Sequence, residues 1–223
     1  MKTPKLPFLF IFFFSILSCT DKKEPIESNP LPETDSTAYE TPDKTLSFEE
    51  SPVMQDWLNF YRQENPGMGM ADFELEKTQK LETIPGTVNG NFDPEFDTVY
   101  EPFLVYNPSK TLYIDLDSYH WSLDKDGNAL FEADQEINLI NLNNQTVERI
   151  GFYGPSYRVE DAFWLTDSVF VLLEKSDGDE AGFRLFNLQE NTVTDYVNTQ
   201  PLKTGEQSYH DFRLSKKGVE ILP

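Results

Sequence analysis

The sequence has almost no cysteine, since Cys19 is the only one in 223 residues. A single thiol cannot form an intramolecular disulfide, and it cannot by itself supply a cysteine-based metal site. If Cys19 is modified, no free thiol remains in the chain to act as a nucleophile. Stability must therefore come from a packed core.

Positive charge is also scarce. The chain has 18 lysines and arginines against 39 aspartates and glutamates, which gives a formal net charge of −21 at pH 7. A surface this acidic repels phosphate backbones, so we expect no nucleic acid as a partner.

Recognisable catalytic and ligand-binding motifs are missing. The sequence has no Gly-x-Ser-x-Gly, no phosphate-binding glycine-rich loop and no His-Glu-x-x-His, and its only histidines are His120 and His210. Residues 124–128 read Asp-Lys-Asp-Gly-Asn, but the following positions do not match a calcium loop, which favours an Asp-Gly hairpin turn. We therefore expect no cofactor and no metal site, and we assign no catalytic residue.

Long apolar runs are limited to residues 6–17, which follow Lys2 and Lys5. The run is shorter than the about 20 residues of a membrane-spanning helix, and it falls within the about 7–15 residues of a signal-peptide core. Residues 1–18 are therefore predicted to be a signal peptide.

The end of this run, Ile16-Leu17-Ser18-Cys19, resembles the lipobox of bacterial lipoproteins. The resemblance implies cleavage before Cys19, a diacylglycerol on its sulfur and acylation of the new amino terminus; several acyl chains anchor a protein stably. The membrane is then a partner, and the bacterial cell envelope is the expected location. The alternative is an ordinary secreted protein.

Residues 19–50 are predicted to be a disordered acidic tether. Pro25, Pro30, Pro32 and Pro42 are spread among acidic and hydroxyl residues, with few large apolar groups to offset the entropy of ordering. Residues 21–24 resemble the charged tract that directs some lipoproteins to the cell surface. The periplasmic side of the outer membrane and the cell surface both remain open.

Residues 51–223 are predicted to form a single domain with one helix at its start. Ser51 and Pro52 suit the cap and first turn of a helix. The apolar positions from Val53 to Tyr61 then recur at helical spacing, and Pro66 ends the pattern.

Beyond the helix the apolar period changes to two, which is typical of strands. Polar turns separate short segments of this kind, which predicts a mainly β, antiparallel body. The predicted strands are residues 73–76, 103–106, 112–116, 129–131, 137–142, 146–152, 162–165, 169–174, 183–188, 192–197 and 209–214.

An internal repeat of about 46 residues lies within residues 100–223. Residues 137–150 align with 183–196, and residues from Ser118 align with those from Ser208 at about twice that offset. The pattern resembles the blades of β-propellers, which are about 40–50 residues long. Because a closed propeller needs at least about four blades, we expect an antiparallel meander of propeller-like hairpins, as an open or partial propeller, or a sandwich.

One strand offers a candidate binding face. Acidic and aromatic side chains alternate with Leu112, Ile114 and Leu116 and continue just beyond the strand. The residues of this face are Tyr113, Asp115, Asp117, Tyr119, His120 and Trp121. Two functions fit them: a non-catalytic envelope module that binds a protein or glycan, which we favour, and a hydrolase that uses Asp115 and Asp117 as paired carboxylates.

Overall fold

Antiparallel strands and two α-helices make up the fold in the computed structural model, which describes residues 48–178 and 180–221. The helices are α1 (Pro52–Arg62) and α2 (Tyr209–Lys216). The strands are β1 (Phe73–Lys80), β2 (Ile84–Pro85), β3 (Val105–Tyr106), β4 (Leu112–Asp115), β5 (Trp121–Leu123), β6 (Ala129–Phe131), β7 (Gln135–Asn141), β8 (Thr146–Tyr153), β9 (Tyr157–Trp164), β10 (Val169–Ser176), β11 (Ala181–Asn187) and β12 (Thr192–Asn198). The signal peptide, Cys19 and the tether up to residue 47 lie outside the described residues. No helix within these described ranges is both long and apolar enough to cross a bilayer.

The strands form two open five-stranded sheets and one two-stranded ribbon. The first sheet has the order β1-β12-β11-β10-β9, and the second has the order β2-β8-β7-β4-β3. Strands β5 and β6 pair only with each other in these sheets, across the predicted turn at residues 124–128. The neighbouring strands run antiparallel, so the prediction of a mainly β, antiparallel fold is confirmed.

The 46-residue offset relates two hairpins of the same construction, β7–β8 and β11–β12. The strands end at Asn141 and Asn187, and each asparagine Oδ1 accepts hydrogen bonds from the backbone N–H groups two and three residues further along. The last turn residues, Gln145 and Asn191, both have a positive φ, 55° and 56°. Each hairpin thus uses an Asx turn followed by one left-handed residue.

The second offset does not relate equivalent structures, because Ser208 begins helix α2 and not a strand. The Ser208 hydroxyl oxygen accepts a hydrogen bond from the backbone N–H of Asp211 at 3.0 Å, which caps the helix. The strand predicted for residues 209–214 is therefore wrong. The buried residues Tyr209, His210, Arg213 and Leu214 follow a helical period, which the Ser-x-x-Asp capping pattern at Ser208 also indicates.

The predicted N-terminal helix is confirmed as α1, with Pro52 at its start. Its apolar side packs on one face of the first sheet, and its buried residues are Met54, Trp57, Leu58 and Tyr61. Phe48 joins this core, since its ring centroid lies 5.3 Å from that of Phe183 and 6.1 Å from that of Tyr196. The folded region therefore includes Phe48, three residues before the predicted boundary.

The other face of the first sheet packs against the second sheet. Ile114, Ile137 and Leu139 of the second sheet share a buried cluster with Phe170 and Leu172 of β10. Val171 and Leu173, which alternate with these β10 residues, pack toward α1. Strand β10 is consequently buried on both faces, which explains its nearly continuous apolar sequence.

Candidate functional site

The face predicted from the alternation along β4 lies mostly in the interior. Tyr113, Asp115, Asp117, His120 and Trp121 are each at most 2% exposed, and Tyr119 is half-buried. The prediction assumed that one face of the strand meets solvent. The structure corrects this, because Tyr113 packs with Leu104 and Ile140 in a cluster that the segment before β4 covers.

Asp117 forms a buried ion pair with Arg213 of helix α2. The arginine donates from Nη2 to Oδ1 at 2.7 Å and from Nη1 to Oδ2 at 3.0 Å, and Trp121 Nε1 donates to Oδ1 at 2.9 Å. Burial alone would raise the pKa of Asp117, but the charge and hydrogen bonds of Arg213 outweigh it and hold the pKa below its usual value. The pair ties α2 to the end of the second sheet.

Asp115 closes the turn that follows β4. Its carboxylate accepts hydrogen bonds from the backbone N–H groups of Asp117 at 2.9 Å and Ser118 at 3.0 Å, and from the Ser118 hydroxyl. Burial raises the pKa of Asp115 despite these bonds. Both carboxylates are buried and hydrogen-bonded to protein groups, so the geometry gives no support to a hydrolase built on Asp115 and Asp117.

The two histidines, which lie 90 residues apart in the sequence, meet in the interior. Their ring centroids are 5.1 Å apart in an edge-to-face arrangement, and the Phe131 ring lies beside both. Burial lowers the pKa of His120, and it lowers the pKa of His210 to about 4, so both are neutral at pH 7. The part of the chain that the structure describes holds no cluster of three or more side chains suited to a metal ion.

A different carboxyl group, that of Glu160, combines burial with access to a cleft. The register of β9 against β10 passes from Asp161 opposite Leu173 to Val159 opposite Glu174. Glu160 is therefore the extra residue of a β-bulge, a feature that re-aims a side chain and is common beside functional sites. Its side chain points toward α1.

Helix α1 supplies the hydrogen-bond partners of Glu160. Trp57 Nε1 donates to Oε2 at 2.7 Å, and the Tyr61 hydroxyl lies 2.8 Å from both carboxylate oxygens. Glu160 is only 3% exposed, and burial raises its pKa to about 7 although both hydrogen bonds act to lower it. The group is therefore partly protonated near neutral pH.

Glu160 contributes to the wall of a cleft of about 230 Å³. The cleft lies between the C-terminal end of α1, strands β9 and β10, the turn after β10 and residues 204–208. Phe60 and Tyr61 supply its aromatic wall. A neighbouring hollow of about 190 Å³ shares Phe60, Tyr61, Gly205, Glu206 and Gln207 with it.

Charged residues of both signs line this cleft. Arg158 and Lys175 lie directly opposite each other in the β9–β10 register, and Asp177 and Glu206 lie on the loops around the rim. A carboxyl group whose pKa is shifted by burial and that lines a concave cleft marks a candidate functional site. We refer to this feature as the Glu160 cleft.

Sequence reasoning missed the Glu160 cleft. The predicted strand began at residue 162, whereas β9 begins at Tyr157. The available signal was the acidic pair Glu160-Asp161 between Val159 and Ala162, which interrupts an apolar alternation in a way that a β-bulge explains. The contacts with Trp57 and Tyr61, about 100 residues earlier in the chain, leave no local pattern.

Comparisons with known proteins identify no similar protein. No family model, curated protein or solved structure matches the chain.

Proposed function

We propose that this chain is a lipid-anchored protein of the bacterial cell envelope that binds a small polar ligand or one residue of a glycan in the Glu160 cleft. The lipobox-like sequence at Cys19 supports the anchor, and the cleft supports the binding. A protein partner is the alternative occupant, but a cleft of about 230 Å³ suits a single ring better than a peptide. Pockets that take drug-sized molecules are larger, about 300–1,000 Å³.

The observation that carries this proposal is the position of Glu160. A carboxyl group enclosed by Trp57 and Tyr61 costs free energy of desolvation, which its raised pKa reports. A glutamine or an apolar residue would fill the same place without that cost. Retaining an acid there, at a bulge that turns it toward a cleft, is explained by a ligand that needs it.

Binding is favoured over catalysis by the composition of the cleft. Hydrolysis of a glycosidic bond requires two carboxyl groups held in fixed positions on either side of the bond. Glu160 is fixed by two hydrogen bonds, whereas Asp177 and Glu206 lie exposed on loops and no contact holds either one opposite it among the described residues. One fixed acid can recognise a ligand.

The binding proposal is tested by blocking the cleft. A Cβ at Gly205 has Glu64 Cγ, 3.9 Å away, as its nearest neighbour, so Gly205→Trp adds bulk to the cleft without a clash at its base. Gly154→Trp is the matched control, since a Cβ there also has a single neighbour, Asp134 Oδ1 at 3.9 Å, and lies outside the cleft. Saturation-transfer NMR on the full chain in detergent, with a panel of neutral, amino and acidic monosaccharides, measures binding.

We expect a sugar of this panel to bind to the wild-type chain and to Gly154→Trp, and its signal to disappear in Gly205→Trp. Binding that survives in Gly205→Trp would place the ligand elsewhere. A panel without any binder would contradict the proposed function.

The anchor is tested separately by the intact mass of protein from the membrane fraction. We expect the mass of a chain that begins at Cys19 and carries lipid, and we expect Cys19→Ala to move to the soluble fraction. An unmodified amino terminus, or a Cys19→Ala variant that stays with the membrane, would refute lipidation.

We also propose that the two sheets are propeller-like units, each built on a four-stranded meander. Strands β3-β4-β7-β8 and strands β9-β10-β11-β12 each follow chain order within their sheet, and the repeat matches the last two strands of one unit with those of the other. Strands β2 and β1 extend the outer edges of these meanders. An experimental structure in which the two meanders do not superpose would favour a sandwich.

A further inference from the structure

We propose that His120 and His210 form an acid-sensitive latch on helix α2, which opens more often when the two imidazoles take up protons. Residues 204–208 directly precede α2 and form one wall of the Glu160 cleft. Opening of the helix would therefore disturb this wall as well. The latch rests on the contacts of the two histidines, and only its consequence for a ligand rests on the proposed function.

The two imidazoles join separate parts of the fold. His120 lies in the turn between β4 and β5, and His210 lies in the first turn of α2. Each residue is at most 1% exposed, the ring centroids are 5.1 Å apart, and the Phe131 ring of β6 lies beside both. The cluster is therefore a point at which α2 is attached to the β5–β6 ribbon and to the turn before it.

The hydrogen bonds of the rings determine which nitrogen carries the proton at neutral pH. His120 Nδ1 lies 3.0 Å from the backbone carbonyl oxygen of Asp134, and His210 Nδ1 lies 3.4 Å from Oδ1 of Asp211. A carbonyl oxygen and an ionised carboxylate can only accept, so Nδ1 is the donor in both rings. Each Nε2 is then unprotonated, and both are buried without a hydrogen-bond partner among the described residues.

A second proton must therefore bind to a nitrogen that has no partner in the closed structure. The new N–H at Nε2 of either ring would be enclosed without an acceptor, which is unfavourable compared with a hydrated imidazolium. Burial is also the main reason why the pKa of both histidines is lowered. Acidification through the ordinary histidine pKa of about 6.5 thus favours a state in which the rings reach water.

Charged groups of both signs surround the pair. Asp117 after β4 and Asp211 of α2 favour an imidazolium, whereas Arg213 of α2 and Arg158 of β9 disfavour it. These charges leave burial as the dominant effect. The acids that follow β6 are the exposed Glu132 and the half-buried Asp134.

The ion pair between Asp117 and Arg213 limits how far the latch acts. The pKa of Asp117 is held below its usual value, so this carboxylate is still ionised at pH 5 and still binds α2. Protonation of the histidines therefore raises the fraction of time that α2 spends open and does not detach it permanently.

Hydrogen exchange of the full chain in detergent, read by mass spectrometry, measures this opening. Rates at pH 7 and pH 5 are corrected for the intrinsic pH dependence of amide exchange. For His210 alone, a pKa of about 4 in the closed state and 6.5 in the open state makes the opening constant about 20-fold larger at pH 5. We expect an increase of about this size or more in peptides from α2 and residues 204–208, and none in α1.

A double variant, His120→Asn with His210→Asn, removes both titrations and keeps an amide donor near the position of each Nδ1. It contains no histidine. We expect its α2 to exchange at equal corrected rates at pH 7 and pH 5. The matched control is Asp56→Asn, which removes the exposed ion pair of α2 through Lys216 and keeps both histidines, so the about 20-fold ratio should persist.

A thermal melt at pH 7 shows whether each variant is folded. If the double variant is not, nitrogen-15 NMR of histidine in the wild-type chain tests the same structure, and we expect two neutral rings with the proton on Nδ1 at pH 7. An imidazolium at pH 7, or a neutral ring with its proton on Nε2, would overturn the latch.

The exchange data give two further outcomes against the proposal. Wild-type α2 that exchanges no faster at pH 5, or a double variant with the same acid-induced increase, would overturn it. These measurements use no ligand, so their failure leaves the proposed function of the Glu160 cleft in place. A sugar panel without a binder would contradict that function and leave the latch in place.

Discussion

At the scale of single residues, Glu160 and Asp117 show how burial and partner together set the state of a carboxyl group. Both side chains are almost completely buried. Asp117 has the guanidinium of Arg213 within 2.7 Å, so it stays ionised, whereas Glu160 has only neutral donors in direct contact and retains a proton up to a pH of about 7. The first is a structural ion pair, and the second is a titratable group at a cleft.

Breaking the Asp117–Arg213 pair should be costly. Arg213→Met leaves Asp117 buried without its counterion, and we expect a loss of about 3–5 kcal/mol in the free energy of unfolding. The control is Lys216→Met, which removes an exposed ion pair of 2.9 Å with Asp56 and should cost at most about 1 kcal/mol. Urea unfolding measures both, and equal losses in the two variants would contradict the prediction.

The raised pKa of Glu160 predicts a loss of stability with increasing pH. The folded state holds its proton up to about pH 7, while the unfolded state releases it near 4.5, so this contribution is complete below 4.5 and is lost as the pH rises through 7. Between pH values below 4.5 and above 7, the free energy of unfolding should fall by about 3 kcal/mol because of this group. Glu160→Gln should remove this part of the pH dependence, and a profile as steep as that of the wild-type chain would refute the assignment.

At the scale of elements, two local features shape these sheets: a β-bulge that redirects one side chain and a hairpin turn that reverses the chain. The bulge at Glu160 turns one side chain of β9 toward α1. The hairpins β7–β8 and β11–β12 reverse the chain through an asparagine that accepts two backbone hydrogen bonds and a residue with positive φ. The repeat in the sequence is therefore a repeat of turn chemistry as much as of apolar positions.

The left-handed residue of the first hairpin gives a prediction about stability. Gln145 has a φ of 55°, which is unfavourable for a residue with a Cβ, so Gln145→Gly should raise the free energy of unfolding by about 0.5–1 kcal/mol. Asn191→Gly should gain less, because asparagine tolerates this conformation better.

Gln189→Gly is the control within the equivalent turn, since Gln189 is not among the residues with positive φ. It should lower the melting temperature. A Gln145→Gly variant that also melts lower would show that the turn is not strained at this position.

At the scale of the whole molecule, the first sheet organises the described fold. One of its faces carries α1, and the other packs on the second sheet, so two buried clusters share β10. Helix α2 connects these parts, because Tyr209 packs with α1 while Arg213 reaches Asp117 beyond β4. The Glu160 cleft lies where α1, the first sheet and the segment before α2 meet.

The boundary of this fold predicts the effect of truncation. Deleting residues 20–47 should leave the melting temperature unchanged, because this acidic, proline-rich segment has too few large apolar side chains to add to the core. Deleting residues 20–50 should lower it by about 2–8 °C, because Phe48 then no longer packs on Phe183 and Tyr196. Phe48→Ala in the full chain should reproduce the loss, and equal melting temperatures for both deletions would place the boundary later.

The sequence alone was sufficient for the features that depend on neighbouring residues. Helix α1 follows from its cap, Pro52 and a single apolar stripe, and the antiparallel strands follow from the period of two between polar turns. The hairpin repeat also follows, because the same local hydrogen bonds are encoded twice. The lipobox-like segment at Cys19 is local in the same sense and stays a prediction.

Tertiary structure alone decided which side chains are enclosed and which meet a cleft. The alternation along β4 is compatible with one solvated face, but the segment before the strand covers Tyr113 on that face. Asp115 and Asp117 are buried as well, and Asp117 pairs there with Arg213 of helix α2. The Glu160 cleft depends on Trp57 and Tyr61, which contact Glu160 from about 100 residues away. A local pattern cannot encode such contacts, because the burial of a carboxyl group depends on which distant elements pack around it.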